Sequence, residues 1–75
     1  MKKIIKGILY DTDKAEKIYF DDKTDRTLWK GENGRFFTVF LNGAISPRTE
    51  DAVKAYLGER DVDKYIELFG EVEDA

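Results

Sequence analysis

Imidazole and thiol groups do most of the proton transfer and soft-metal binding that proteins perform at neutral pH. This chain has neither: histidine and cysteine are both absent from its 75 residues. Their absence excludes every nucleophile–base pair of the Ser-His or Cys-His kind. It also removes the ligands of structural zinc and any disulfide framework. The only serine, Ser46, lies directly before Pro47, where a turn or cap role accounts for it. Carboxylates remain, but a glycosidase-like pair must be held across a cleft, and a domain of this size rarely encloses one. The residue types therefore predict a protein that is not an enzyme, has no catalytic residues, and uses no cofactor.

Two acidic stretches invite a calcium reading, and both fail it. Asp11 and Asp13 are followed by Ala15 at the next ligand position, with no glycine bend after it. In the second register, Asp21, Asp25 and Glu32 fit positions 1, 5 and 12 of a loop. Lys23 and Arg26, however, stand where a ligand and the obligatory glycine belong. Cap and turn roles suffice for these acids, and no metal site is predicted. Gly31, Gly34 and Gly43 precede no helix N-terminus at phosphate-loop spacing, so they read as hairpin glycines.

Without catalysis, the informative residues are those that could bind a macromolecule. Ten of the 75 residues are aromatic, a dense supply of large apolar area for a chain too short to bury much else. One candidate partner-binding set is an aromatic sheet face of Trp29, Phe36 and Phe40. Trp and Tyr are frequent energetic anchors of interfaces, and monomers rarely leave such patches bare. The competing account is that the first strand or a short helix covers that face. The second candidate set is acidic and helical: Glu50, Asp51, Glu59, Asp61, Asp63 and Glu67.

Charge supports a second surface of this kind. Residues 1–48 carry ten basic and seven acidic side chains, net +3, whereas residues 49–75 carry three and nine, net −6. Intramolecular complementarity with solvated faces explains that split. An acidic surface able to compete with nucleic acid for a basic partner explains it too. Direct nucleic-acid binding is disfavoured: the pI is about 4.9, no RNP-like motif occurs, and the acidic helices would repel phosphate.

The elements that must position these residues can be read locally. Lys3–Tyr10 reads as a first strand, Thr12–Lys17 as a short helical turn capped by Asp11, and Ile18–Asp21 as a brief second strand. Arg26–Gly31 and Arg35–Leu41 flank Glu32-Asn33-Gly34 and predict a hairpin. Alternation along the second of these sets Phe37, Val39 and Leu41 on one face and Phe36, Thr38 and Phe40 on the other. Asn42-Gly43 turns the chain again toward a short edge strand at 44–46, which Pro47 closes. Thr49 opens a helix whose inner stripe is Ala52, Val53, Tyr56 and Leu57, ending at Gly58. Asp61 caps a second helix to about Phe69, with Val62, Tyr65, Ile66 and Phe69 inward and Gly70 as its C-terminal cap.

These elements predict an α+β fold: a small antiparallel sheet of three to four strands, a short N-terminal helix, and two C-terminal helices packed on one face. Residues 1–70 form the single domain and 71–75 an acidic, frayed tail. No apolar run approaches the length of a membrane span, and Lys6 and Gly7 interrupt any signal-peptide core, so the expected location is the cytoplasm.

Three segments also share a pattern. The opening Lys3-Ile4-Ile5-Lys6-Gly7-Ile8-Leu9-Tyr10-Asp11-Thr12-Asp13-Lys14-Ala15-Glu16 is one. The middle Thr27-Leu28-Trp29-Lys30 with Gly34-Arg35-Phe36-Phe37, and the close Tyr65-Ile66-Glu67-Leu68-Phe69-Gly70-Glu71-Val72-Glu73, are the others. Together they resemble small uncharacterised proteins encoded by phages and integrative or conjugative elements of Gram-positive bacteria. The resemblance spans most of the chain, which looks shorter than that group between the second and third strands and after Asn42. It implies a setting among accessory genes of mobile elements, in a bacterial host, where inhibitors of host defence nucleases are common. The resulting expectation is a protein-binding accessory module that inhibits a CRISPR-type or nuclease complex by occlusion or by acidic mimicry of nucleic acid. A single-stranded nucleic-acid module using the aromatic face, and a structural homodimer, are the alternatives.

Overall fold

The computed structural model describes residues 1–75. Its architecture is α+β, with a two-stranded ribbon and a four-stranded antiparallel sheet followed by two helices. The ribbon pairs β1 (Lys2–Ile5) with β2 (Ile8–Asp11) in the register Ile5↔Ile8 and Lys2↔Asp11. The sequence reading of one continuous strand over Lys3–Tyr10 is thus corrected to a hairpin. Lys6 and Gly7 have φ of +51° and +79°, the double positive φ of a two-residue turn whose twist matches the flanking strands.

The expected N-terminal helix is also corrected: only a single 3₁₀ turn forms, over Thr12–Lys14. Asp11 does cap it, accepting from the Asp13 N–H at 3.0 Å. The turn cannot lengthen, because Ala15 is extended and Glu16 and Lys17 are paired with Lys30 and Trp29.

The sheet is a meander in the order β3 (Glu16–Asp21), β4 (Arg26–Lys30), β5 (Phe36–Phe40), β6 (Ile45–Arg48). A bulge between Lys17 and Tyr19 lets the neighbours Ile18 and Tyr19 both pack on the helix side. The β4–β5 loop holds residues 31–35: the Gly31 N–H donates to the Arg35 carbonyl at 2.8 Å, and Asn33 Oδ1 accepts from the Arg35 N–H at 3.2 Å. This loop sets Lys30 opposite Phe36 and Trp29 opposite Phe37. Pro47 sits inside β6 rather than closing the sheet, opposite Phe37. An edge strand tolerates the missing N–H.

Each face of the sheet carries a packed layer. On one, α1 (Glu50–Arg60) and α2 (Val62–Phe69) enclose Ile18, Leu28, Phe36, Val53 and Leu57. On the other, the ribbon's inner face brings Tyr10, Ile5 and Ile8 onto Phe37 and Ile45. Tyr10 meets Phe37 edge-on at 5.3 Å between ring centroids.

Helix α1 begins as the sequence predicts, with Thr49 Oγ1 accepting from the Ala52 N–H at 3.1 Å. It does not stop at Gly58. It runs to Arg60, where the Asp61 N–H donates to the Leu57 carbonyl at 2.8 Å and the same Asp61 caps α2 through the Lys64 N–H at 3.1 Å. The inward stripes shift accordingly: Ala52 is exposed, Val62 is 56% exposed, and Leu68 joins Tyr65 and Phe69 against the core.

Two substitutions probe this layer by chemical denaturation. A Cβ at Gly58 would stand 3.9 Å from Tyr65 Cδ2, an ordinary contact. Gly58→Ala should therefore raise unfolding free energy by about 0.5–1 kcal/mol through reduced chain entropy. Leu57, fully enclosed, should cost about 2–5 kcal/mol on truncation to Ala. A neutral Leu57→Ala would mean that the helices are not docked as described.

Candidate protein-docking surface

The aromatic set read from the sequence is not one face. Cross-strand register places Phe36 and Phe40 on the helix side and Trp29 on the ribbon side with Phe37. Phe36 is buried beneath the helices, its ring 5.9 Å from that of Phe69. Phe40 is half-buried, with the Arg26 guanidinium 5.0 Å from its ring centroid. No platform of three open rings exists, which corrects the expectation for Trp29, Phe36 and Phe40. The expected hairpin, with Gly31 opposite Arg35, already pairs Trp29 with Phe37, and alternation along β5 turns Phe37 away from Phe36 and Phe40.

An open apolar surface does exist, at a different place. The ribbon covers only the half of the second face around Phe37 and Ile45. Beyond it a row crosses the sheet, Phe20 opposite Thr27 and Thr27 opposite Val39. These residues border an open groove of about 350 Å³, whose lining also includes Met1, Trp29 and Leu41. Phe40 reaches the groove from the end of its strand, whereas Phe36 does not. The rim is the exposed part: Met1 is 53%, Phe20 52% and Leu41 82% accessible. Lys17 flanks the groove with its ammonium 5.9 Å from the Trp29 ring centroid. The Trp29 Nε1–H is buried with no acceptor, a costly arrangement for an indole. On the ribbon's outer face, Ile4 and Leu9 form a second exposed apolar pair, opposite one another in register.

Sequence reasoning missed Met1, Phe20 and Leu41. The available signal was the parity that groups Leu41 with Phe37 and Val39. Phe20 carried none, because the bulge at Ile18 resets the alternation of β3.

The acidic helical set is dispersed and partly neutralised. Glu50 pairs with Lys54 at 3.7 Å, Glu59 with Arg60 at 3.8 Å, and Glu67 with Lys64 at 2.9 Å. The Glu67 bond holds the Lys64 ammonium above the usual lysine range. Asp61 is committed to its cap, so only Asp51 and Asp63 lack a partner among the six.

The best-engaged carboxylate belongs to the rejected calcium register rather than to the acidic helical set. Asp21, 7% exposed, accepts from the Tyr56 hydroxyl at 2.9 Å and from the Lys23 N–H at 3.0 Å, and lies 3.6 Å from Arg60 Nε. The Arg60 guanidinium in turn stacks on the Tyr56 ring at 4.4 Å. The Tyr56 hydrogen bond holds the Asp21 carboxyl below its usual range, against the opposing effect of burial. Burial, reinforced by Asp21, pushes the Tyr56 phenol up to about 12. This cluster ties the end of β3 to α1.

Comparison of the chain with protein-family models, with curated proteins and with solved structures finds no match.

The Asp21–Tyr56 pair has a pH signature. Asp21 has a folded pKa below its unfolded value, so its contribution is present above the ordinary carboxylate pKa of about 3.9 and is lost as pH falls through the folded value. Asp21→Asn should lower Tm at pH 7, and its deficit should shrink as pH drops below about 3.9. For Tyr56, stabilisation persists to the ordinary phenol value near 10 and disappears as pH rises through about 12. In a spectrophotometric titration, the phenolate step lost in Tyr56→Phe should move down in Asp21→Asn without reaching 10, because burial persists. An unmoved step would break the assigned coupling.

Proposed function

We propose that the protein is a non-enzymatic binding module that docks onto another protein through the groove bordered by Met1, Phe20, Trp29, Val39 and Leu41. The observation that carries this reading is the exposure of Phe20 and Leu41, 52% and 82%, beside a groove of about 350 Å³ on an otherwise two-sided core. Water-exposed apolar side chains grouped around a concavity are the usual mark of a partner site. The polar chemistry supports a binding role as well. Asp11, Asp21 and Asp61 serve as caps and turn acceptors, so they are committed to structure rather than poised for proton transfer.

The resemblance to proteins of phages and integrative elements supplies the setting: an accessory protein acting in a bacterial cytoplasm on a host defence complex. No helix is long and apolar enough to cross a membrane, which is compatible with that location. Occlusion through the apolar groove fits this surface better than mimicry of nucleic acid, since half of the acidic helical set is already paired with Lys54, Arg60 and Lys64. A single-stranded nucleic-acid platform lacks its stack of rings, with Phe36 buried and Trp29 on the opposite face.

Affinity capture from a Gram-positive lysate, followed by measurement with the purified partner, tests the proposal. Phe20→Ser and Leu41→Ser should each weaken binding by about tenfold or more, as truncation of an interface anchor does. Binding should also change little with added salt. A steep salt dependence that Asp51→Lys and Asp63→Lys abolish, with Leu41→Ser inert, would replace this reading with the electrostatic one. Sedimentation showing a dimer lost in Leu41→Ser would make a second copy of the chain the occupant.

A further inference from the structure

On the helix side of the sheet, opposite the groove, lies a cleft of about 210 Å³ between β4–β6 and α1. Arg26 and Arg48 both line it, with Thr38, Leu28, Val53 and Tyr56. Neither guanidinium pairs with a carboxylate, although the chain holds 16 acidic residues against 13 basic ones. Charge balance alone would place an acid beside each.

Register sets the two arginines on either side of Thr38. Arg26 is opposite Phe40 and Arg48 opposite Phe36, on the strands flanking β5, and Thr38 is midway between those two positions. Strands stand about 4.8 Å apart and rise about 3.4 Å per residue, so the two arginines start about 8 Å from Thr38 at opposite corners; the Arg26 guanidinium rests 5.0 Å from the Phe40 ring centroid. Arg48 covers this span: its Nε donates to Thr38 Oγ1 at 3.3 Å. That bond leaves its two terminal amino groups without a protein acceptor. Thr38 itself is 7% exposed in the middle of the sheet, and its hydroxyl hydrogen has no protein acceptor either. Asp21, opposite Arg26 in register, is occupied by Tyr56 and Lys23, and Glu50 by Lys54.

We infer that this cleft is a binding site for a small oxyanion, a carboxylate or a phosphate monoester with a compact apolar body. The planar guanidinium fork matches both groups bidentately. The Thr38 hydroxyl adds a third donor, and Leu28, Val53 and the Tyr56 ring offer apolar walls. The volume is below the roughly 300–1,000 Å³ of pockets that enclose drug-sized ligands, which limits the occupant to a small molecule. The alternative role for these arginines, covering the sheet with their stems, requires no anion and predicts none of the selectivity below.

The test uses the full chain, ¹⁵N-labelled, titrated with benzoate, phenyl phosphate, inorganic phosphate and the neutral isostere benzyl alcohol. Saturable shifts centred on Thr38 and on the Arg26 and Arg48 Nε–H resonances are expected with at least one anion and not with benzyl alcohol. Benzoate against phenyl phosphate identifies which oxyanion is preferred. Arg26→Gln should weaken binding about tenfold or more, as loss of a charge-assisted hydrogen-bond pair does. Arg48→Lys, which keeps the charge but loses the fork, should weaken it as well, and Arg35→Gln in the distant β4–β5 loop should not. If Arg48→Lys disturbs the fold, Arg26→Gln decides alone, since the Arg26 side chain makes no hydrogen bond within the protein. No saturation up to about 10 mM of any anion, binding weaker than about 3 kcal/mol, overturns the assignment. So does equal binding of benzyl alcohol, or indifference to Arg26→Gln.

Discussion

Phe36 and Phe37 are neighbours in the chain and both are buried, at 6% and 1% exposure. Adjacent residues of a strand point to opposite faces, so β5 must be covered on both sides. A chain of 75 residues has little material for two covering layers. It supplies one with the helix pair, which packs Val53 and Leu57 over Phe36, and the other with the ribbon, which packs Tyr10 over Phe37. The helices span their side of the sheet. The ribbon is four residues long on each strand and covers only part of the other, and the groove beside Phe20 and Leu41 is what it leaves open.

The same constraint separates the two candidate surfaces. Residues of the sheet on the ribbon side present apolar side chains to an open groove. On the helix side, Arg26, Thr38 and Arg48 put polar and charged groups into the cleft beside α1. Surfaces of opposite chemistry thus back onto one core, and the Asp21–Tyr56–Arg60 cluster fastens that core at the end of β3.

Helix α2 is held by partly buried side chains alone. It has no fully buried residue, and its contribution comes from Tyr65, Leu68 and Phe69 closing the end of the cluster. The three aromatic contacts there, Phe36–Phe69, Tyr65–Phe69 and the Lys54 ammonium 5.2 Å from the Phe69 ring, make Phe69 the pivot of its docking. Gly70, at φ +92°, ends it with an N–H bond to the Ile66 carbonyl at 2.8 Å.

Local chemistry was enough to determine part of this protein. Thr49 and Asp61 cap helices because a side-chain oxygen three residues before a free N–H satisfies it wherever the rest of the chain goes. Asn33-Gly34 and Asn42-Gly43 turn the chain for equally local reasons, and the α+β class follows from the sum. Lys6-Gly7 was legible in principle, yet the apolar residues on either side of it read as one strand. The flanks of Glu32-Asn33-Gly34 also determine that Trp29 lies opposite Phe37, away from the Phe36 face. Only tertiary structure decided the faces of β3, where one bulged residue at Ile18 turned Phe20 outward. Such choices depend on which long-range pairing buries the most apolar surface, and alternation within a single strand holds no information about its partner's register.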